Sequence, residues 1–403
     1  MNTEPDTTNG FIAHRDSPPG RRRQPRTTMM LASALWCMSL FSSGCVSPVA
    51  MHTAVLEYDW TVNRIETELL LLNIARTRYH EPIHFTAVSN IAATFDFRVN
   101  TGMMGLLAGS PGADSLSLTL GSSAAENPTV NIIPIQGEEF TKRLLTPITD
   151  ETISFLWQQG IDPAILLRLV SQGIIFEDND CNQVMLRQDN DRKRRFLWNQ
   201  PRRKKEYQEF RQRVMHLSWL QAERKLFIGR TDPPNEDQRK TGRIVITNYD
   251  PNRLSKDDRE KLHRQADRFS LHHILVDIRP DHPGGDFPIC GEIKLRSFKA
   301  ILGFIGRGIT EDEEFDVKPN EKTKLKTVNP PKTLTIRESR TQPEGAIISA
   351  QKRGLWYYID QESADGELID RWNHEAFDLL YQLYHLTVTD ISKTPTLPIA
   401  ISK

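Results

Sequence analysis

The chain has 403 residues, 38% hydrophobic and 26% charged, with Lys+Arg and Asp+Glu both totalling 52. This composition excludes a collagen, a coiled coil, a disordered chain and a polytopic membrane protein, and the balanced charge gives no global field toward nucleic acid. A chain of this length buries a core without staples, and four cysteines are too few for a disulfide scaffold.

The first segment is an address. Residues 1–20 are polar, and Arg21, Arg22, Arg23 and Arg26 then lead into the apolar run Met29–Phe41 and the ending Ser42-Ser43-Gly44-Cys45. A basic stretch, a short apolar stretch and small residues before a cut make a secretory signal. Thirteen apolar residues rise only ~20 Å as a helix, against a hydrocarbon core of ~30 Å, so the run is too short for a permanent span.

The small-small-Gly-Cys ending resembles the lipobox of bacterial lipoproteins, although Ser42 stands where that family has Leu, Val or Ile. The resemblance implies removal of residues 1–44, acylation (palmitate among the chains) at Cys45, and a membrane partner held through those chains. Val46 and Ser47 provide no acidic retention signal, which implies delivery to the outer membrane with the protein facing the periplasm. Each buried CH₂ contributes ~0.8 kcal/mol, so several chains hold firmly where one would not. Removing residues 1–44 takes away five Arg and three acidic residues, leaving 47 basic and 49 acidic groups. Cys181 and Cys290 then remain, as free thiols or as one disulfide, which only their proximity decides.

After a tether over 45–55, Val62, Ile65, Leu69 and Leu72 follow helical spacing and predict a helix over Asp59–Tyr79, ended by His80-Glu81-Pro82. Phe95, Phe97 and Val99 alternate with polar residues, as do Leu116, Leu118 and Leu120, which predicts two strands around a Gly-rich tip in a hairpin over 91–122. A third extended piece is Thr129–Ile135. Helices follow at Glu138–Leu145, Asp150–Gln158 and Ala164–Ser171, the last capped by Asp162 with Pro163 at its first turn. A basic linker over 191–205 precedes a helix at Glu206–Lys225. Strands at Arg243–Thr247 and His273–Ile278 bracket a helix opening at Ser255. Phe298–Ile305 is a short apolar helix, and polar Thr310–Lys332 reads as a surface loop or linker. Strands at Leu334–Glu338, Ala346–Ala350 and Leu355–Ile359, a helix at Asn373–Leu386 and a tail strand at Thr396–Ile401 complete the chain. The pattern predicts an α+β fold of mixed helices and antiparallel strands without regular βα alternation, in two regions, 56–190 and 206–403.

Three stretches carry a broader likeness: Leu72–Tyr79 with Pro82–Phe85, Asn127–Leu145, and Gly354–Ile359. Together they resemble a family of uncharacterised proteobacterial lipoproteins. That resemblance implies a shared fold and an envelope location, and brings no catalytic residue.

No catalytic set emerges from the motifs. Ala113-Asp114-Ser115-Leu116 resembles the nucleophile block of GDSL-type hydrolases, but no Asp-x-x-His supplies a base. His272, His273, Asp277, Asp281, His282, Asp286, Cys290 and Glu292 are dense in ligand types, yet lack the paired spacing of a zinc site. Gly303-Phe304-Ile305-Gly306-Arg307-Gly308 follows an apolar helix rather than opening one, which points to a helix C-cap and not a phosphate loop.

The basic residues Arg192, Lys193, Arg194, Arg195, Arg202, Arg203, Lys204 and Lys205 suit a solvated linker or contact with an anionic surface. The reading is a lipid-anchored envelope protein that binds or assembles with a protein partner, without nucleic acid, metal or cofactor, leaning away from an enzyme. The alternative is a subunit of an oligomeric outer-membrane pore or secretion assembly using hairpin 91–122, and an envelope hydrolase comes third.

Overall fold

The computed structural model describes residues 46–105, 116–177, 194–231, 242–324, 328–359 and 367–388. Cys45, the tip of the hairpin and the tail strand lie outside them. The chain divides after Asp59. Of its first unit, Val46–Asp59 is described, as the opening of helix α1 (Val46–Arg78). The second unit runs from Trp60 onward. No helix among the described residues is long and apolar enough to cross a membrane.

The fold of the second unit is α+β, without regular βα alternation. Its centre is a six-stranded sheet ordered β4-β3-β8-β7-β6-β5. The strands are β3 (Ser171–Glu177), β4 (Arg194–Trp198), β5 (Phe227–Thr231), β6 (Arg243–Thr247), β7 (His273–Ile278) and β8 (Ile289–Leu295). Only β6 and β7 run parallel among these neighbours. The branched runs of β6 and β7 are buried almost throughout, as strands covered on both faces require.

Helices α2 (Glu138–Leu145), α3 (Asp150–Gln158), α4 (Pro163–Val170), α5 (Lys204–Ala222), α6 (Lys256–Asp267), α7 (Phe298–Gly308) and α8 (Glu367–Val388) pack around it. The whole of α4 is buried, and it touches both α5 and α8. Its start is fixed as the sequence predicts, with Asp162 accepting from the Ala164 N–H at 2.7 Å. Ser255 caps α6 in the same way, through the Asp258 N–H at 3.2 Å. A three-stranded sheet ordered β10-β11-β9 adds β9 (Ile336–Ser339), β10 (Ser349–Lys352) and β11 (Leu355–Ile359). Residues of α1, α4, α5, α8 and both these sheets share one apolar core.

Three expectations are built differently. The basic stretch is structured as far as it is described: Arg194–Trp198 is an edge strand of the six-stranded sheet and Lys204 opens α5. The regions on either side of it share that sheet. Gly303, Gly306 and Gly308 lie within α7 and do not cap it. A Cβ on Gly306 would come 2.1 Å from Thr77 Oγ1 and 2.8 Å from the Ile74 carbonyl oxygen, so this glycine lets α7 lie against α1. The described residues of the stretch Thr310–Lys332 form no helix or strand, yet Glu314, Val317 and Thr323 among them are buried.

Candidate assembly interface

The strands expected around 91–122 belong to a much longer element. Strands β1 (Phe85–Gly105) and β2 (Leu116–Ile135) form a two-stranded antiparallel ribbon of 21 and 20 residues, in which each pairs with the other. The second and third extended pieces of the sequence are thus one strand. At ~3.3 Å per residue the ribbon is about 65 Å long. Isolated two-stranded hairpins are marginal in water, so a ribbon of this length calls for a surface to lie on or a further strand to pair with.

Register decides what the ribbon presents. Residues directly opposite in an antiparallel pair share a face, and alternate residues change face. The pairs Phe97↔Ala124, Val99↔Ser122, Thr101↔Leu120 and Met103↔Leu118 fall on one face. The pairs Asp96↔Ala125, Arg98↔Ser123, Asn100↔Gly121 and Gly102↔Thr119 fall on the other. The two arms alternate in phase, which gathers most apolar residues on one register face, with Thr101 and Ser122 among them, and leaves Met104 and Ala125 on the more polar one. A slip of one residue would mix them. Toward the body the apolar face meets Glu126 opposite Phe95, then Pro128 opposite Ala93. The register shifts between Val88 and Asn90, leaving Ser89 as a bulge near the root.

The root is rigid. Phe85 and its partner Ile135 are buried, and the Phe85 ring packs on Phe140 of α2, Phe298 of α7 and Tyr384 of α8. The preceding link is held by buried Asn73 of α1. Its Nδ2 donates to the His84 carbonyl at 2.8 Å, and its Oδ1 accepts the His84 N–H at 2.9 Å. Just beyond the root, Ile132 is 62% exposed.

Residues from the stretches 72–85, 127–145 and 354–359 come together near this root. Arg78 and Tyr79, from the first, reach Tyr357 of the third, with Arg78 Nη1 donating to Tyr357 Oη at 2.7 Å and the two hydroxyls 2.8 Å apart. Arg78 also pairs with Glu338 of β9. Burial pushes Tyr357 up to about 12, while the hydrogen bond to Tyr357 pulls Tyr79 down. The middle stretch supplies Ile135 and Phe140 to the same core.

A second polar cluster fastens the loop 312–333 to α4 and α5. Glu314 accepts from Tyr207 Oη at 2.6 Å, the Thr333 N–H at 2.6 Å and Thr333 Oγ1 at 2.7 Å, and lies 3.4 Å from Arg168. Arg168 and Arg211 are fully buried and donate to the Pro330 and Pro331 carbonyls. Burial lowers Arg168 to about 10, so it stays charged at neutral pH. Burial alone would raise Glu314, but the charges of Arg168 and Arg211 and the bonds from Thr333 and Tyr207 together outweigh it and hold the carboxyl low. His216 of α5 is buried between Thr323 Oγ1 (3.0 Å) and the Gly284 carbonyl (2.9 Å), and burial lowers its pKa. These groups bond partners within the fold, Arg211 Nε alone among the atoms of this cluster being buried without one.

The residues singled out by sequence are dispersed. Arg192 and Lys193 lie outside the described residues, as do Asp114, Ser115 and Cys181. Arg195 pairs with Glu209 and Arg203 lies over the Trp198 ring at 4.9 Å, while Arg202, Arg203, Lys204 and Lys205 are exposed side by side. His273 bonds Glu292 at 2.7 Å, His272 faces the Ile148 carbonyl at 3.3 Å, and Asp277 is held by Tyr249 and Arg279. Cys290 is disulfide-bonded.

Among the described residues no three of His, Cys, Asp and Glu converge as a metal site. A surface hollow of about 480 Å³ is lined by Gln212, Phe287 and residues 319–322, and another of about 360 Å³ by Arg64, Glu68, Gln342 and Trp356 among others. The linings of these two hollows contain no nucleophile with a base and an orienting group. Missing from the sequence reading was the phase between the ribbon's arms. It follows once β2 is taken as one strand, because antiparallel pairing then fixes which residues oppose. No protein-family model, curated protein or solved structure matches the chain.

Proposed function

We propose that the protein is a lipid-anchored assembly component of the cell envelope, held at Cys45 in the outer membrane and facing the periplasm, and that it acts by association rather than catalysis. The observation that carries this reading is the rooted ribbon, with most of its apolar residues on one face and, among the described residues, neither strand paired with the body's sheets. A catalyst gathers reactive groups in a cleft, whereas here the buried polar groups described above fasten loops to helices. The exposed set Arg202, Arg203, Lys204 and Lys205 suits anionic headgroups or lipopolysaccharide phosphates, at ~1 kcal/mol per basic group near such a surface.

Two measurements test the reading. Labelled palmitate enters the intact protein and is lost on Cys45→Ala; label that persists in that variant overturns the anchor. A photo-crosslinking residue at position 94 or 100 yields a covalent adduct with a protein in intact cells. A ribbon that forms no protein adduct at any position overturns the assembly role.

A further inference from the structure

We infer that the partner of the ribbon is a second copy of this chain. In this inference β1 of one copy pairs with β2 of the next, and the ring of ribbons closes as a transmembrane barrel with the Phe97 and Met103 face toward lipid. It rests on the assembly reading and names the partner.

The edges argue for it first. An antiparallel strand turns about half of its backbone N–H and C=O groups toward its neighbour and half away. Among the described residues β1 and β2 pair only with each other, so each presents an open edge there, along 21 and 20 residues. Such an edge is a template for another strand. The strands of the six-stranded sheet run five to seven residues and match only a fraction of it. Another copy brings a complement of equal length. A β1-to-β2 contact is head-to-tail, so it repeats from copy to copy and ends only when a rotation closes the ring. Closure removes every edge, and two strands per copy give the even strand number of bacterial barrels.

The faces argue for it independently. Over 97–105 and 116–124 the apolar face carries no charged residue, while Arg98 and Asn100 sit on the opposite one. That band is nine residues per strand, against the ~9–11 that a tilted strand needs to cross a bilayer. Glu126 and Pro128 mark its end toward the body, and the Ser89 bulge lies beyond, where barrel rims place such bends. Apolar outside and polar inside is the two-residue period of a membrane barrel.

The test uses full-length, acylated protein. Two differently tagged copies are co-expressed, envelopes are extracted in mild detergent, one tag is captured and the other is probed. Both tags are expected together, in a complex whose mass is a whole multiple of the chain. In phosphatidylethanolamine–phosphatidylglycerol vesicles the complex is expected to release a small dye. Phe97→Asp is expected to cut oligomer recovery and dye release about tenfold, and Asn100→Asp to change them less than about twofold, as a lipid-facing and a lumen-facing site should differ. The thermal transition of the body serves as the folding control in both variants. Recovery of one tag alone at monomer mass, or full dye retention, overturns the inference. If the ribbon crosslinks instead to a different envelope protein, self-association falls and the assembly reading stands. If it crosslinks to nothing, both fall.

Discussion

The six-stranded sheet and the β1–β2 ribbon put the same backbone chemistry to opposite uses. In the sheet, short strands are roofed by helices, their side chains fill one core, and each central strand finds neighbours on both sides within the chain. In the ribbon, two strands three to four times as long find one neighbour each. The sheet therefore stores stability, and the ribbon stores unmet pairing. Substitutions in the body are therefore expected to lower stability, and those in the ribbon to lower association.

The largest effect is expected at Glu314. Glu314→Ala leaves Arg168 and Arg211 buried without their carboxylate, and should cost about 3–5 kcal/mol in urea unfolding followed by tryptophan fluorescence. Next comes Gly306→Ala, which presses a methyl group into Thr77 and the Ile74 carbonyl and should lower stability by about 1–3 kcal/mol. Tyr357→Phe removes the acceptor of Arg78 and the partner of Tyr79. Its expected cost is about 1–2 kcal/mol, with dye release unchanged.

A pH series sharpens the picture. The unfolded chain protonates His216 near pH 6.5, whereas the folded protein does so only at lower pH. The unfolded state thus binds more protons in that window, so stability is full above about pH 6.5 and declines as pH falls toward the folded value. Urea midpoints at pH 8, 7 and 6 should fall for the native protein and fall less for His216→Gln. The loss of Glu314's contribution belongs to a separate, more acidic window, as pH falls through the carboxylate range toward its depressed folded value. The smallest effect tests the ribbon. Joining Val99 to Ser122 through Asn-Gly should shift body stability by less than about 0.5 kcal/mol, while abolishing co-recovery of two tagged copies.

Legibility followed the same division. Helices α2 and α3 run over the predicted residues, because apolar spacing and caps are local signals. β6 and β7 do so as well, as unbroken branched runs. Strands β3, β4, β5 and β8 were not legible. β4 hides Phe196, Leu197 and Trp198 behind a run of arginines, and β3 follows α4 with no turn between them. In β8, Gly291 reads as a breaker, but an added Cβ there would stand 2.1 Å from the Ile175 carbonyl oxygen. It marks close approach within the sheet. The alternation of each ribbon arm was legible. The ribbon's extent was not, since Asn127-Pro128 suggests an interruption where β2 continues. The burial of Glu314 has no local signal, since Arg168 and Tyr207 come from more than a hundred positions away and Thr333 from 19.

Asn73 gives the ribbon its bearing. With one amide it bonds both backbone groups of His84, as a neighbouring strand would, and so splints the short link Glu81–His84 between α1 and β1. The start of β1 is thus tied to α1. In a ring of identical copies the turns from each to the next must total one full revolution. On the proposed assembly, the contacts of Asn73, Arg76 and Phe85 at the root set how many copies complete the circle.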